Sequence, residues 1–450
     1  MYMKSRAILL FTVLSALTLL ILSCDADSVT SPGENGTDIG DLQVALFGGS
    51  ADDIATAVIR TSDNGFLIVG EKRSVDGDFG GQSIGDQDIF AIKLDANRNV
   101  QWIRAFGGNN LDGATDVIED QAGNFVIAGY TQSNSGTFSG QFRGDIDAVM
   151  IRITPNGELL WARTYGGSNE DIAFSVTEGP AGGYILAGST RSVDGNFPGR
   201  NNASSDAFLI LTDFNGQPAW AQAFGGSGDD EASSVTISQQ NGIIATGSFQ
   251  SAAGTFSNSQ PGQTSFFALE TELNGNFIAV TTYGGSGVDV ANSIIRTLDG
   301  GYAIAGSSGS NDVHFQDRNI GGQDAFLMKI NAGRQIEWIT NIGGTDFDEG
   351  HSVVQRENGE FIVAGETDSP DGDFEGQFSG NTDAFIAVIS ENGDLTDTQA
   401  FGGNNSDAAL SAALLLDGRV SLAGFTSSTS GTFSSKQGAD QDVFFMTVNP

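Results

Sequence analysis

Apolar and polar positions alternate in short runs along this chain, and tight-turn residues separate the runs. Between 166 and 224 the pattern predicts a first strand over Ile172–Thr177, rich in small residues, then a turn over 178–183. A largely apolar second strand covers Tyr184–Ala187 and closes at Gly188. A polar segment with Phe197 in its middle leads to Asp206, and Ala207–Thr212 reads as a third strand. Asn215-Gly216 is a hairpin turn, and Ala219–Phe224, carrying Trp220, is the fourth strand. Four short strands joined by such turns describe one antiparallel sheet.

The same pattern returns at a fixed interval of 59 residues. Phe47-Gly48-Gly49 is followed by Phe106-Gly107-Gly108, Tyr165-Gly166-Gly167, Phe224-Gly225-Gly226, Tyr283-Gly284-Gly285, Ile342-Gly343-Gly344 and Phe401-Gly402-Gly403. Units therefore start near 48, 107, 166, 225, 284, 343 and 402. An aspartate sits in the turn of every unit: Asp53, Asp112, Asp171, Asp230, Asp289, Asp348 and Asp407. A second aspartate recurs at Asp88, Asp147, Asp206, Asp324, Asp383 and Asp442, with Ser265 in the fourth unit. The four tryptophans, Trp102, Trp161, Trp220 and Trp338, share one register; Ala279 and Asp397 stand there in two other units.

A single four-stranded sheet of this size cannot bury both its faces, whereas seven packed radially can. The expectation is an all-β, seven-bladed β-propeller with four antiparallel strands per blade. The small residues of the first strand (Ala55, Ala114, Ala173, Ala232, Ala291, Gly350 and Ala409) suit an innermost strand crowded around an axis, and the Trp suits an outer one. The last unit stops after three strands, and Leu42–Phe47 has the register of the missing fourth. The amino-terminal strand should therefore complete the last blade and leave no free edge.

The sequence Asp-Gly-Gly-Tyr-(apolar)-Ala-Gly, then Asp-Ala-Phe, Asn-Gly, Trp and Tyr-Gly-Gly, resembles the bacterial seven-bladed β-propeller (SBBP) repeat over residues 41–450. The resemblance implies an exported or surface-attached protein and no particular activity.

Lys4 and Arg6 precede an apolar run, Ala7–Leu22, and then Ser23-Cys24. This is the build of an export signal, shorter than the roughly 20 residues of a comfortable membrane span. Ile-Leu-Ser-Cys resembles the bacterial lipobox, which implies lipid attachment at Cys24, the one cysteine. The expected organisation is a signal peptide over 1–23, a lipidated Cys24 with a flexible tether over 24–40, and the propeller over 41–450. As a coil, the tether would span roughly 20–25 Å. The expected location is the cell envelope, at the outer membrane or cell surface, with the membrane a partner through the lipid.

Composition narrows the chemistry. There are 62 glycines and 8 prolines in 450 residues, and 56 acidic side chains against 20 basic ones give a net charge of −36. Such a surface repels nucleic acid and anionic headgroups. The seven turn aspartates suit a structural role, accepting backbone N–H bonds in glycine-rich turns; the alternative is a ring of carboxylates near the axis that holds a cation. No cofactor is expected, since Asp76-Gly77-Asp78 and Asp371-Gly372-Asp373 lack the ligand count of a calcium loop. Two histidines, His314 and His351, fall at registers of varied residue type and read as surface drift. The one candidate for a unique surface site is the segment with Val313, His314 and Arg318, where Val313 replaces a recurrent glycine. No catalytic set is apparent. The function expected is a non-catalytic, monomeric binding or scaffold module for protein or glycan. The alternative is a carbohydrate-active enzyme using paired carboxylates on one face.

Overall fold

The structure is a computed structural model that describes residues 42–450 apart from 83, 201–203, 257–263, 437 and 439. Its strands form seven four-stranded antiparallel sheets. In blade 3 they run Asp171–Glu178, Tyr184–Thr190, Asp206–Thr212 and Pro218–Phe224, paired in that order from the innermost outward. The other blades repeat this at the interval of the sequence, blade 1 beginning at Asp53 and blade 7 at Asp407, except that the inner strand of blade 4 is shortened to Ser234–Ile237. Neighbouring inner strands touch one another around the whole circle, blade 7 against blade 1 included.

Closure is made by the amino-terminal strand. Gln43–Phe47 pairs antiparallel with Asp442–Val448, from Gln43 opposite Thr447 to Phe47 opposite Val443, as the outer strand of blade 7. The core lies between blades. Leu67 and Val69 pack with Ile127 and Val149 of blade 2, while Phe66 and Ile68 face Phe445 and Ala423 of blade 7. Both faces of a blade are thus buried, which is why its middle strands read as apolar runs instead of alternating. In six of the seven blades the phenylalanine of the long loop ends a short 3-10 turn, as in Gly77–Phe79, and plugs the blade: Phe79 lies 5.2 Å from Phe90 and Phe374 lies 5.0 Å from Phe385.

One expectation is corrected. Gly188 does not close the second strand, which continues to Thr190. A Cβ at Gly188 would sit 2.0 Å from the Ile172 carbonyl oxygen and 2.7 Å from the Phe208 ring. The glycine allows close backbone approach beside the β-bulge between Ala173 and Ser175, so it marks the middle of a strand and not its end. The small residues of the inner strand also do more than relieve crowding. Ser411 accepts the Val58 N–H at 3.1 Å, Ser352 that of Ala412 at 3.2 Å, and Ser234 that of Ile294 at 3.2 Å. These bonds link one blade to the next, and the Ser411 bond joins blade 7 to blade 1.

Candidate functional site

The Gly-Gly turns run from the outer strand of one blade to the inner strand of the next, and their carboxylates are buried with them. Asp112 is fully buried; it accepts the Gly108 N–H at 2.7 Å and the Ser133 hydroxyl at 2.9 Å, and the Thr131 hydroxyl also donates to it. Asp171, Asp289, Asp348 and Asp407 hold the same turn N–H and the same serine, at Gly167 and Ser192, Gly285 and Ser310, Gly344 and Ser369, and Gly403 and Ser428. Asp230 does so at Gly226 and Ser251, and Asp53 accepts the backbone N–H groups of Arg73 and Ser74. All seven are at most 1% exposed. The second aspartates close the loop ahead of the third strand, Asp147 accepting the Arg143 N–H at 2.7 Å and Asp324 that of Ile320 at 2.8 Å.

The two sets meet at each blade junction. A Cβ at Gly107 would lie 2.6 Å from Asp88 Oδ1 and 2.7 Å from Asp112 Oδ2, so the glycine is wedged between a buried carboxylate pair. Burial pushes Asp112 and Asp230 up to about 6 and Asp147, Asp348 and Asp383 to about 7; the neighbouring carboxylate adds to this at Asp112, Asp147, Asp348 and Asp383. Lys72 pairs with Asp88, Arg200 with Asp206 and Lys436 with Asp442, and Ser265 removes the charge in blade 4. At Asp147–Asp171, Asp324–Asp348 and Asp383–Asp407 no ion pair is formed among the described residues. These repeated carboxylates are closed off from a glycan.

His314 is corrected from surface drift. Its Nδ1 lies 3.2 Å from the Gly284 amide nitrogen and 2.9 Å from the Gly284 carbonyl oxygen. The same N–H is held by Asp78 at Gly48, Thr137 at Gly107, Asn196 at Gly166, Thr255 at Gly225 and Asp373 at Gly343. In these six blades the register varies in residue type but supplies an acceptor, a signal readable in the sequence as a position that is never apolar. His351 is also not at the surface: its side chain is 9% exposed, and it lies between Glu349 and Glu366. Neither glutamate belongs to a recurrent acidic register, so the repeat pattern carries no signal for them.

Blade 5 departs from its neighbours in the loop ahead of its third strand. Val313 has φ +52°, where the other six blades place Gly77, Gly136, Gly195, Gly254, Gly372 and Gly431 at φ +58° to +79°. Asp317 has φ +56°, where Gly81, Gly140, Gly199 and Gly376 serve elsewhere. Val313 is 64% exposed; Arg318 is exposed and donates to the Ile339 carbonyl. A β-branched residue in left-handed backbone stores strain, and such strain concentrates at binding surfaces. Residues 1–41, where the sequence leads one to expect an export signal and lipid attachment at Cys24, lie outside the described residues. Among those described, no helix is long and apolar enough to cross a membrane.

The blades and their turns define a seven-bladed β-propeller. No family model matches the chain. The regulatory protein FlaEY of Caulobacter vibrioides is 24% identical over 212 residues, 44% of this chain but 22% of that protein, so the chain spans about a fifth of its relative. Among solved structures, the Pan2 WD40 domain of Neurospora crassa is 10% identical, covers 90% of this chain and 96% of its own, and has a TM-score of 0.47. A protein of unknown function from Dyadobacter fermentans is 11% identical over 79% of this chain and 96% of its own, with a TM-score of 0.43. One from Bacteroides caccae is 12% identical over 69% and 89%, with a TM-score of 0.37. The architecture rests on the strand order itself.

Proposed function

We propose that this protein is an exported bacterial lipoprotein of the SBBP-repeat type, whose propeller is a non-catalytic binding or scaffold module for a protein or glycan of the cell envelope. The observation that carries the reading is a division of labour. The repeated turn aspartates and His314 are occupied by the turns, while Val313, the one β-branched residue at positive φ among the described residues, falls together with Asp317 in one exposed loop. Lys4, Arg6, the run Ala7–Leu22 and Cys24 support export and lipid attachment. The Caulobacter relative is a regulatory protein, which fits a module that acts by binding.

Two measurements test this. Intact mass of the protein purified from membranes should show diacylation at Cys24; an unmodified thiol contradicts the anchor. Affinity capture from envelope extract with the full chain should retain a stoichiometric partner. Turnover of glycans by the purified protein would contradict the non-catalytic reading.

A further inference from the structure

Three chemistry-bearing residues that no other blade combines fall together in blade 6. At the register of Glu349 the other blades carry Ile54, Gly113, Ile172, Glu231, Val290 and Ala408. At that of His351 they carry Thr56, Thr115, Phe174, Ser233, Asn292 and Leu410, and at that of Glu366 they carry Glu71, Tyr130, Ser189, Ser248, Ser307 and Phe425. No other blade has a histidine here. Glu349 and Glu366 face each other across the inner two strands, and His351 is the residue left out of register by the β-bulge between Gly350 and Ser352. One ligand atom from each of the three residues lies within 4.8 Å of the others.

The surroundings leave these groups short of partners. His351 Nε2 is 3.6 Å from a Glu366 oxygen and is buried without a hydrogen bond. Asn292, on the inner strand of blade 5, is 4% exposed and donates to Glu349 at 2.6 Å and to the Gly350 carbonyl at 2.9 Å, while its Oδ1 is buried without a partner. Blade 1 shows the alternative: Glu71, in the register of Glu366, takes hydrogen bonds from Tyr130 at 2.8 Å and Gln87 at 2.9 Å. Asp368 adds negative charge beside Glu366.

We propose that Glu349, His351 and Glu366 form a binding site for one divalent transition-metal ion of the zinc class. One imidazole and two carboxylates suit such an ion, whereas calcium and magnesium favour larger all-oxygen sets. Around zinc, ligand atoms about 2.0–2.2 Å from the metal lie roughly 3.4 Å apart, so small side-chain rotations of Glu349 and Glu366 close the site. Three protein ligands leave a position for water or for a group of a bound partner. Asn292 orients Glu349 from the neighbouring blade, so metal would also clamp blades 5 and 6 together.

The test is a titration of the chelator-stripped full chain in detergent with Zn²⁺, and separately with Co²⁺, under excess Ca²⁺ to occupy surface carboxylates. One saturable equivalent is expected, with a visible Co²⁺ absorption band and a higher thermal midpoint. His351→Thr, which installs the residue of blades 1 and 2, and Glu366→Gln should lose the equivalent. Asn292→Ala should weaken it about 10–100-fold, and His314→Asn should leave it intact. Absence of a saturable equivalent in the wild type, or equal uptake by His351→Thr, overturns the proposal. The Co²⁺ spectrum of the wild type decides the matter even where a variant fails to fold.

Discussion

Val313 holds a backbone conformation that six glycines hold elsewhere, at a site 64% open to solvent. Val313→Gly should therefore raise stability by about 1 kcal/mol, strain relief outweighing the greater freedom of glycine in the unfolded chain; chemical denaturation measures it, and a loss of stability contradicts it. A second residue-scale rule links tryptophans to hairpin glycines of the next blade. A Cβ at Gly157 (φ +77°) would lie 3.1 Å from the Trp102 ring, and Gly216, Gly275 and Gly393 meet Trp161, Trp220 and Trp338 in the same way. Where the tryptophan is absent, at Gln43 and Ala279, the hairpin position is Arg98 or Arg334, each at positive φ. Gly157→Arg should cost about 1–3 kcal/mol in the wild type and markedly less beside Trp102→Ala, a coupling that a double-mutant cycle reads directly. Additive effects would sink the rule. Both partners recur visibly along the chain; that they touch across a blade junction, 55 residues apart, required the fold.

At the scale of elements, strand number, order and the closing strand were all legible, because a strict period leaves each strand one register to occupy. Glycine was legible as a turn signal and misled at Gly188, where the cause is approach to the Ile172 carbonyl and not a chain reversal. The acceptor role of His314 was hidden by variety, since Asp, Thr, Asn and His all serve it at this register. The Glu349–His351–Glu366 group was hidden for the opposite reason: it belongs to one blade, and its members come together only through strand pairing and a bulge. Deleting residues 42–47 removes Val44, Leu46 and Phe47 from the core of blade 7 and bares the edge of Asp442–Val448. Phe47 is buried and Val44 and Leu46 are half-buried, so a loss of about 3 kcal/mol or more is expected, at roughly 1.5–3 kcal/mol for full burial of one apolar side chain; an unchanged thermal midpoint would refute closure by this strand.

For the whole molecule, the ring of buried carboxylates dictates a pH response. Asp112, Asp230 and Asp442 are held near 6, and Asp147, Asp348 and Asp383 near 7, above the unfolded value of 3.8, chiefly because burial disfavours their charge. Between about pH 4 and pH 7 the native state keeps protons that the unfolded state has released, so stability falls as pH rises through that window. The thermal midpoint should be higher at pH 5 than at pH 8, and Asp383→Asn, which relieves a carboxylate pair with Asp407 that forms no ion pair among the described residues, should flatten the difference. A midpoint that climbs from pH 5 to pH 8 contradicts this account of the junctions.

The central claim, that the repeat is architecture and binding resides where blade 5 departs from it, is tested most directly by a loop exchange. Residues 311–320 are replaced by residues 134–143, the same register of blade 2, and the full-length variant is compared with the wild type in capture from envelope extract. The account predicts a variant that melts at or above the wild-type temperature and no longer retains the partner. A folded variant that retains the same partner in the same amount would contradict it.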